Sequence, residues 1–445
     1  MSLLPLAQYE PNAYIWYLDN GVEKVFEKDL TINSLYIYRL PMLKVAPFAV
    51  LTISLPSNII AAITDSMNKS YSVRIHIALI LADTRDPRSD MIRTYNFDHG
   101  MRADFVFKVL HTVNRFSPPA TTAEIVPITY YLAPHQIHEL TMGNAFNRQF
   151  RNRTALEVLE SFEGHVRNFV DMSGFPNPFS FKKIVSIPNN HSYQNILIKS
   201  DSDINVPIFL LRHYKLLNTF GYYFFDCCHL DNMNVGLLID LSNPGPFQIW
   251  NGMDPDKYEL YRGLKLIHSL PMTNELNVLR RSVGASAIVV KEPTANRLVT
   301  KGWGNRGKPG QPVGGNTGGG GQLGGRGTGG MNNVPIPSNA NPGQTGSGET
   351  MVLHAPDFQD NARQRYTNMI QLLNLSSGSK MFDTLYTFEG KGVHIDAIQF
   401  DKKYVLDMLD TSAYYIPISI VNKFAALGVV ETHLEHTVEF QAIMY

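Results

Sequence analysis

Val430-Glu-Thr-His-Leu-Glu-His-Thr-Val-Glu-Phe-Gln-Ala-Ile-Met444 alternates with a period of two along its whole length. Val430, Leu434, Val438, Phe440, Ala442 and Met444 fall on one face. Glu431, His433, Glu435, Thr437, Glu439 and Gln441 fall on the other. Side chains on a strand point alternately to opposite faces, so this is a strand with one face on a core and one polar, acid-rich face. The few elements that accompany it after residue 350 would make a marginal sheet alone. The C-terminal strands are therefore expected to complete a β module begun earlier in the chain, or to pair with a neighbouring subunit.

What separates them from the rest is Gly302–Gly348, in which 18 of 47 residues are glycine, none is acidic and few are large and apolar. Such a stretch cannot bury enough surface to offset the entropy of ordering it. As a free coil it would span roughly 35–40 Å. Two readings follow: a boundary between domains, or a long insertion loop within one β module, and the size of the C-terminal piece favours the loop.

The first region, residues 1–150, reads as β. Val73–Leu79 and the positions Phe105, Phe107, Val109, His111 and Val113 alternate, with Asp98-His-Gly100 as a turn before the second set. Ala46–Leu55, Met91–Phe97 and Ile125–Leu132 are further strands, and Ser57–Asn68 carries Ile59, Ile60 and Ile63 at helical spacing. Asp83–Asp90 is a polar hairpin loop suited to touching a partner. Antiparallel strands at this spacing favour a small barrel or sandwich.

The middle region, 151–300, is mixed. Thr154-Ala-Leu-Glu157 is a capping box opening a helix with Leu156, Leu159, Val166, Phe169 and Val170 on its apolar face and Gly174 as its stop. Val206–Leu217 reads as a helix broken by Gly221, and Tyr222–His229 and Val235–Leu241 as paired strands. Tyr258–Leu270 and Ser286–Lys291 are two more strands. After the glycine tract, Asn361–Leu373 reads as a short helix, and Val393–Phe400 and Tyr414–Val421 as strands. The fold class is thus α+β and mainly antiparallel β, with two small β-barrel-type domains, a mixed α/β region joining them, and a long Gly-rich loop at 301–349. The second barrel begins within 151–300 and is completed by 350–445.

Lys+Arg and Asp+Glu are both 39, so the formal net charge is zero. That argues against a dedicated nucleic-acid binder, which shows a basic excess or stripe. Cys227 and Cys228 are adjacent, which offers no disulfide framework and fits assembly in a reducing cytoplasm. The first residues lack the pattern of a signal peptide, and no apolar run is long enough for a membrane span.

Chemical motifs mostly dissolve. Gly302-x4-Gly307-Lys308 has phosphate-loop spacing, yet Pro309 stands where a Ser/Thr hydroxyl is required. Gly325-Arg-Gly327-Thr-Gly-Gly330 matches a dinucleotide fingerprint through its composition alone, and its single Arg-Gly unit is far below RNA-binding density. Asp226-Cys-Cys-His-Leu-Asp231 holds metal-ligand types, but on a strand they point to opposite faces and no second ligand pair exists. His433 and His436, three apart in a strand, also face opposite sides; His135 and His138 share a face only on a helix. No catalytic, cofactor-binding or metal residues are assigned, and no cofactor or small-molecule substrate is expected.

Leu210-Leu-Arg-His-Tyr-Lys-Leu-Leu-Asn-Thr-Phe-Gly-Tyr-Tyr-Phe-Phe-Asp226 followed by Leu237-Leu-Ile-Asp240, with closing strands over Tyr414–Tyr445, resembles the baseplate-hub (tail-hub) proteins of contractile-tailed bacteriophages. The resemblance covers most of the chain in layout, and the glycine tract departs from the family pattern. It implies a homotrimer whose two barrels per subunit form a pseudo-sixfold ring. Such a ring joins a sixfold tail tube to a threefold central spike, touches baseplate wedge proteins, and surrounds a channel that DNA traverses. It also implies a virion component assembled in the host bacterial cytoplasm. A channel wall should not grip DNA, so the face with Glu431, His433, Glu435 and Glu439 fits a lumen or a subunit interface, with a plain solvated face as the alternative. Another virion part (neck, capsid-associated or fibre-attachment) and a tail-associated cell-wall hydrolase are the competing readings.

Overall fold

The structure is a computed structural model. It describes residues 8–28, 30–41, 46–81, 102–113, 124–143, 145–168, 179–185, 188–214, 216–217, 221–229, 234–241, 243, 245–251, 264–271, 287–292, 297–302, 351–354, 384–393, 395, 397–405, 413–426 and 433–444. The N-terminal strands are β1 (Gln8–Asp19), β2 (Val22–Phe26), β3 (Thr31–Arg39), β4 (Phe48–Pro56), β5 (Arg74–Leu81), β6 (Arg102–Thr112) and β7 (Ile125–Pro134). The middle strands are β8 (Gln149–Thr154), β9 (Ser180–Ile184), β10 (Ser192–Leu197), β11 (Gly221–Asp226), β12 (Val235–Asp240), β13 (Gln248–Asn251), β14 (Leu264–Pro271), β15 (Ala287–Glu292) and β16 (Arg297–Gly302). The C-terminal strands are β17 (Met351–His354), β18 (Thr384–Lys391), β19 (Lys402–Val405), β20 (Tyr415–Ala426) and β21 (Leu434–Met444). Helices occupy Ser57–Asn68, His135–Met142, Ala155–Asn168 and Val206–His213. The chain is mainly β, with few helices.

Instead of two separate clean barrels, 13 strands belong to one large sheet that includes both the N-terminal and the C-terminal strands. Within it the pairing returns on itself. Antiparallel ladders run β20–β3–β4–β7–β6–β5–β1–β21, and β21 pairs again with β20. An all-antiparallel circuit can close only with an even number of strands, and this one satisfies that rule. Its weakest link is β1–β21, which has two residue pairs, Gln8↔Glu435 and Tyr9↔Leu434.

The β20–β21 hairpin outlasts this circuit. Beyond it, the far half of β21 pairs with β18, and β18 with β14, while Tyr415 of β20 pairs with Tyr404 of β19. The near end of the hairpin, with Phe424 and Leu434, enters a core shared with the circuit and the helices. The far end, with Ile416, Ile420, Val438 and Phe440, enters a second core. The small sheet β11–β12–β9 lies between the two. Tyr223 and Phe225 belong to the first core, whereas Tyr222 and Phe224 belong to the second. Both faces of this sheet are covered, which explains why β11 and β12 read as near-continuous apolar runs.

Several expected elements form as read. The helix over Ser57–Asn68 is present with Ile60 and Ile63 buried. In the capping box the Glu157 amide donates to Thr154 Oγ1 (3.1 Å), and the Thr154 amide donates to Glu157 Oε2 (2.8 Å). Leu159 and Val166 of that helix are buried together with Ala155, Val158 and Phe162.

Three expectations change. The helix from Val206 ends at His213, where Tyr214 turns extended at φ −126°. The strand expected over Tyr222–His229 ends at Asp226, and Cys227 and Cys228 lie in a bend. In place of the strand expected over Val393–Phe400, its described residues, Val393, Ile395 and 397–400, lie in buried irregular backbone. Tyrosine hydroxyls take the place of a ladder there: the Ile395 amide donates to Tyr9 Oη (3.0 Å) and the Gln399 amide to Tyr404 Oη (2.7 Å). The expected elements at Asp83–Asp90, Met91–Phe97, Asp98–Gly100 and Asn361–Leu373, together with Phe169, Val170 and Gly174, lie outside the described residues, as do 258–263 of the strand expected from Tyr258.

The strands bounding the glycine tract share one small sheet. β15 pairs antiparallel with β16 (Ala287↔Gly302) and parallel with β17 (Ile288↔Met351). Gly302 and Met351 therefore sit two strand spacings apart, about 10 Å.

Candidate functional site

β21 buries Leu434, His436, Val438, Phe440 and Ala442, which confirms its alternation and adds His436 to the buried face. On the opposite face two residues are paired with oppositely placed groups on neighbouring strands. Glu439 Oε2 lies 2.6 Å from Lys423 Nζ on β20, and His433 Nε2 lies 3.1 Å from Glu10 Oε1 on β1. Glu435 stands opposite Gln8 of β1 and Ala425 of β20. Glu431 lies outside the described residues. Glu389 of β18 stands directly opposite Glu439. His433, Glu435 and Glu439 are therefore brought onto one half-exposed face whose acidity is partly balanced.

The densest chemistry is elsewhere, buried where the two cores meet. Arg39, at the end of β3, has no exposed surface, and neither does Asp226, at the end of β11. The guanidinium donates to both carboxylate oxygens, Nε to Oδ1 at 2.7 Å and Nη2 to Oδ2 at 2.5 Å. Its third contact is Nη1 to Asn422 Oδ1 of β20 at 3.3 Å, and its cationic carbon stands 5.0 Å from the centre of the Phe400 ring. Burial alone would pull the guanidinium down, but the Asp226 charge and hydrogen bonds outweigh it and hold Arg39 charged. Asn422 Nδ2 meets His436 Nε2 of β21 at 3.1 Å, and His436 Nδ1 meets the Val393 carbonyl at 2.7 Å. One polar chain thus ties together β3, β11, β20, β21 and the segment after β18.

A second buried group adjoins it. Asp401 Oδ2 lies 3.3 Å from Lys182 Nζ, 3.4 Å from His229 Nε2 and 3.7 Å from Lys402 Nζ. Burial would raise this carboxyl, yet the His229 hydrogen bond and the His229, Lys402 and Lys182 charges hold it well below the usual carboxylate range. Asp226 and His229 of the ligand-like run are thereby committed to Arg39 and Asp401. Cys227 and Cys228 are buried free thiols, and burial, the first cause, pushes the Cys227 thiol well up, away from nucleophilic reactivity. Among the described residues no three His, Cys, Asp or Glu side chains are grouped as a metal site. His135 and His138 do lie on one helix, where His135 Nδ1 approaches Glu139 at 3.8 Å.

No helix among the described residues is long and apolar enough to cross a membrane. No protein-family model matches the chain, and no curated protein matches it. Among solved structures, it is similar to the crystal structure of the prophage MuSo2 43 kDa tail protein from Shewanella oneidensis. The two are 10% identical, the match covers 97% of this chain and 96% of the other, and the TM-score is 0.42.

Proposed function

We propose that the chain is a structural, non-catalytic part of a contractile phage tail: a baseplate hub that forms a trimeric ring between a sixfold tail tube and a threefold spike. The observation that carries this reading is the β20–β21 hairpin shared by two cores. One eight-strand circuit closes on its near half, and a second set of strands gathers on its far half. Two β modules welded side by side in one subunit are what a ring needs if three chains are to present six similar positions. In that ring the β20–β21 hairpin holds the two modules at a fixed angle, and the half-exposed face with His433, Glu435 and Glu439 meets the channel or the next subunit. The tail tube, central spike and wedge proteins are its proposed partners, and DNA would only pass through.

Light scattering of the purified chain should give the mass of three copies, and electron micrographs should show rings with threefold symmetry. A stable monomer that never joins a tail would overturn the hub. Clearing of a cell-wall suspension by the purified protein would instead reinstate the hydrolase reading.

A further inference from the structure

Three strands have a neighbour on one side only, and each exposes apolar side chains. Among the described residues β2 pairs with β1 alone, β13 with β19 alone and β14 with β18 alone. β2 carries Val22 (62% exposed) and Val25 (50%), β13 carries Ile249 (53%) and β14 carries Ile267 (50%). A bare strand edge is a template for a further strand, and β-branched residues beside it favour that pairing.

β2 is bare on both faces, since Val22, Glu23, Lys24 and Val25 are all exposed. The Asn20-Gly21 turn makes Asp19 and Val22 the bonded pair that closes the hairpin, and bonding alternates from there. Val22, Lys24 and Phe26 thus face β1, while Glu23 and Val25 turn their amides and carbonyls outward. Leu18, opposite Glu23, obeys the same alternation. Its amide donates to Ser66 Oγ (2.9 Å), and its carbonyl lies 2.8 Å from that hydroxyl. The side chains hold the hairpin in place as well, Glu23 against Tyr71 Oη and Arg74 Nη2 (3.1 Å) and Lys24 against Asp19. A strand fixed before binding loses little entropy when it pairs.

Charge and regularity decide which strand fits this edge. Antiparallel pairing of β2 with its own copy must set outward-facing residues opposite one another. The central registers then oppose Glu23 to Glu23, Lys24 to Lys24 or Glu23 to Glu27, and like charges directly opposite are destabilising. β14 has a bulge between Leu266 and His268, a break of the kind that blunts an edge. β13, Gln248-Ile-Trp-Asn251, keeps an unbroken register with β19 and carries no charge. Trp250 of β13 packs against the second core, whereas Phe26 of β2 packs against the first.

We propose that β2 of one copy pairs edge to edge with β13 of the next. The inference rests on the three-copy ring proposed above, in which the first module of each chain must meet the second module of its neighbour.

Val25→Pro tests the contact, because the Val25 amide points away from β1 and an edge strand admits proline where its N–H faces outward. In light scattering the mass should fall from three copies to one, with the far-ultraviolet circular dichroism of the folded chain retained. The double variant Val25→Cys with Ile249→Cys, treated with a short bismaleimide, should give covalent multimers on a denaturing gel, and either single variant none. A trimer in both the wild type and Val25→Pro overturns this contact and leaves the hub standing, whereas a monomeric wild type overturns both. Should Val25→Pro fail to fold, the crosslink decides: its absence from a trimeric double variant, or its presence in Val25→Cys alone, overturns the pairing.

Discussion

Arg39 and Asp226 stand 187 positions apart in sequence and are both fully enclosed, so each is tolerable only because of the other. Arg39→Ala would leave a buried carboxylate unpaired and should cost about 3–5 kcal/mol in urea unfolding. Replacing both partners with apolar residues of similar volume, Arg39→Met with Asp226→Leu, should cost much less, because no orphan charge remains. Two buried acids give opposite pH signs. The Asp401 carboxyl is held low, so its stabilisation is present above the ordinary carboxylate value and lost as pH falls toward the folded one; Asp401→Asn should weaken the fold at neutral pH and flatten its acid limb. Glu163 is pushed up, first by burial and against the pull of Lys183, so its neutral form suits the fold and ionisation works against it as pH rises. Glu163→Gln should therefore raise the melting temperature at neutral pH. None of these pairings leaves a local trace in sequence. The Thr154/Glu157 capping box does, because both partners lie within one turn.

At the scale of elements, the alternation of β21 was plain in the sequence because its two faces meet different environments. Val393, Ile395 and Ala397 imitate the same pattern, yet their burial is achieved in irregular backbone whose amides find tyrosine hydroxyls, Tyr9 on the distant β1 and Tyr404 on the adjoining β19. The β1–β2 hairpin carries a readable local signal: Asn20-Gly21, with φ of 52° and 82°, is the turn pair such hairpins prefer. Pro11 within β1 masks the strand by breaking its propensity. Gly221 reads as a helix breaker, but its structural reason is closeness, since a Cβ there would stand 2.0 Å from the Ile239 carbonyl oxygen. Gly221→Ala should thus disrupt the β11–β12 ladder and lower the melting temperature, whereas at Gly21, which has open space around it, a side chain would be strained only by the positive φ. The glycine tract belongs to this scale as well. Its ends are about 10 Å apart across β15, so it has no distance to span. Replacing residues 303–350 with about eight Gly and Ser residues should leave the fold intact and stabilise it by about 1.5 kcal/mol, from about 0.6 kcal/mol per halving of loop length. Loss of binding to a tail partner on the same change, with the melting curve preserved, would assign the tract to contact.

For the whole molecule, the shared hairpin and the buried junction both couple the two cores, and tryptophan placement allows their contributions to be separated. The β20–β21 ladder runs through both cores, so neither core can unfold completely without disturbing a strand of the other. The junction adds the coupling of β3 to β11 across the same boundary. Trp16 lies on β1 in the strand circuit, beside His76, and Trp250 lies on β13 beside Tyr404 of the second core. With Trp303 replaced by Phe, two chains carrying only Trp16 or only Trp250 report the two halves individually. In otherwise wild-type protein their denaturation midpoints should coincide and agree with calorimetry, as one cooperative unit requires. Adding Arg39→Ala removes the junction and leaves the hairpin, so the midpoints should move apart, with the Trp250 transition coming first because the second core has open strands at β13 and β14 among the described residues. Coincident midpoints in the Arg39→Ala background would mean that the hairpin alone couples the halves, and the junction would then be a local fastening only.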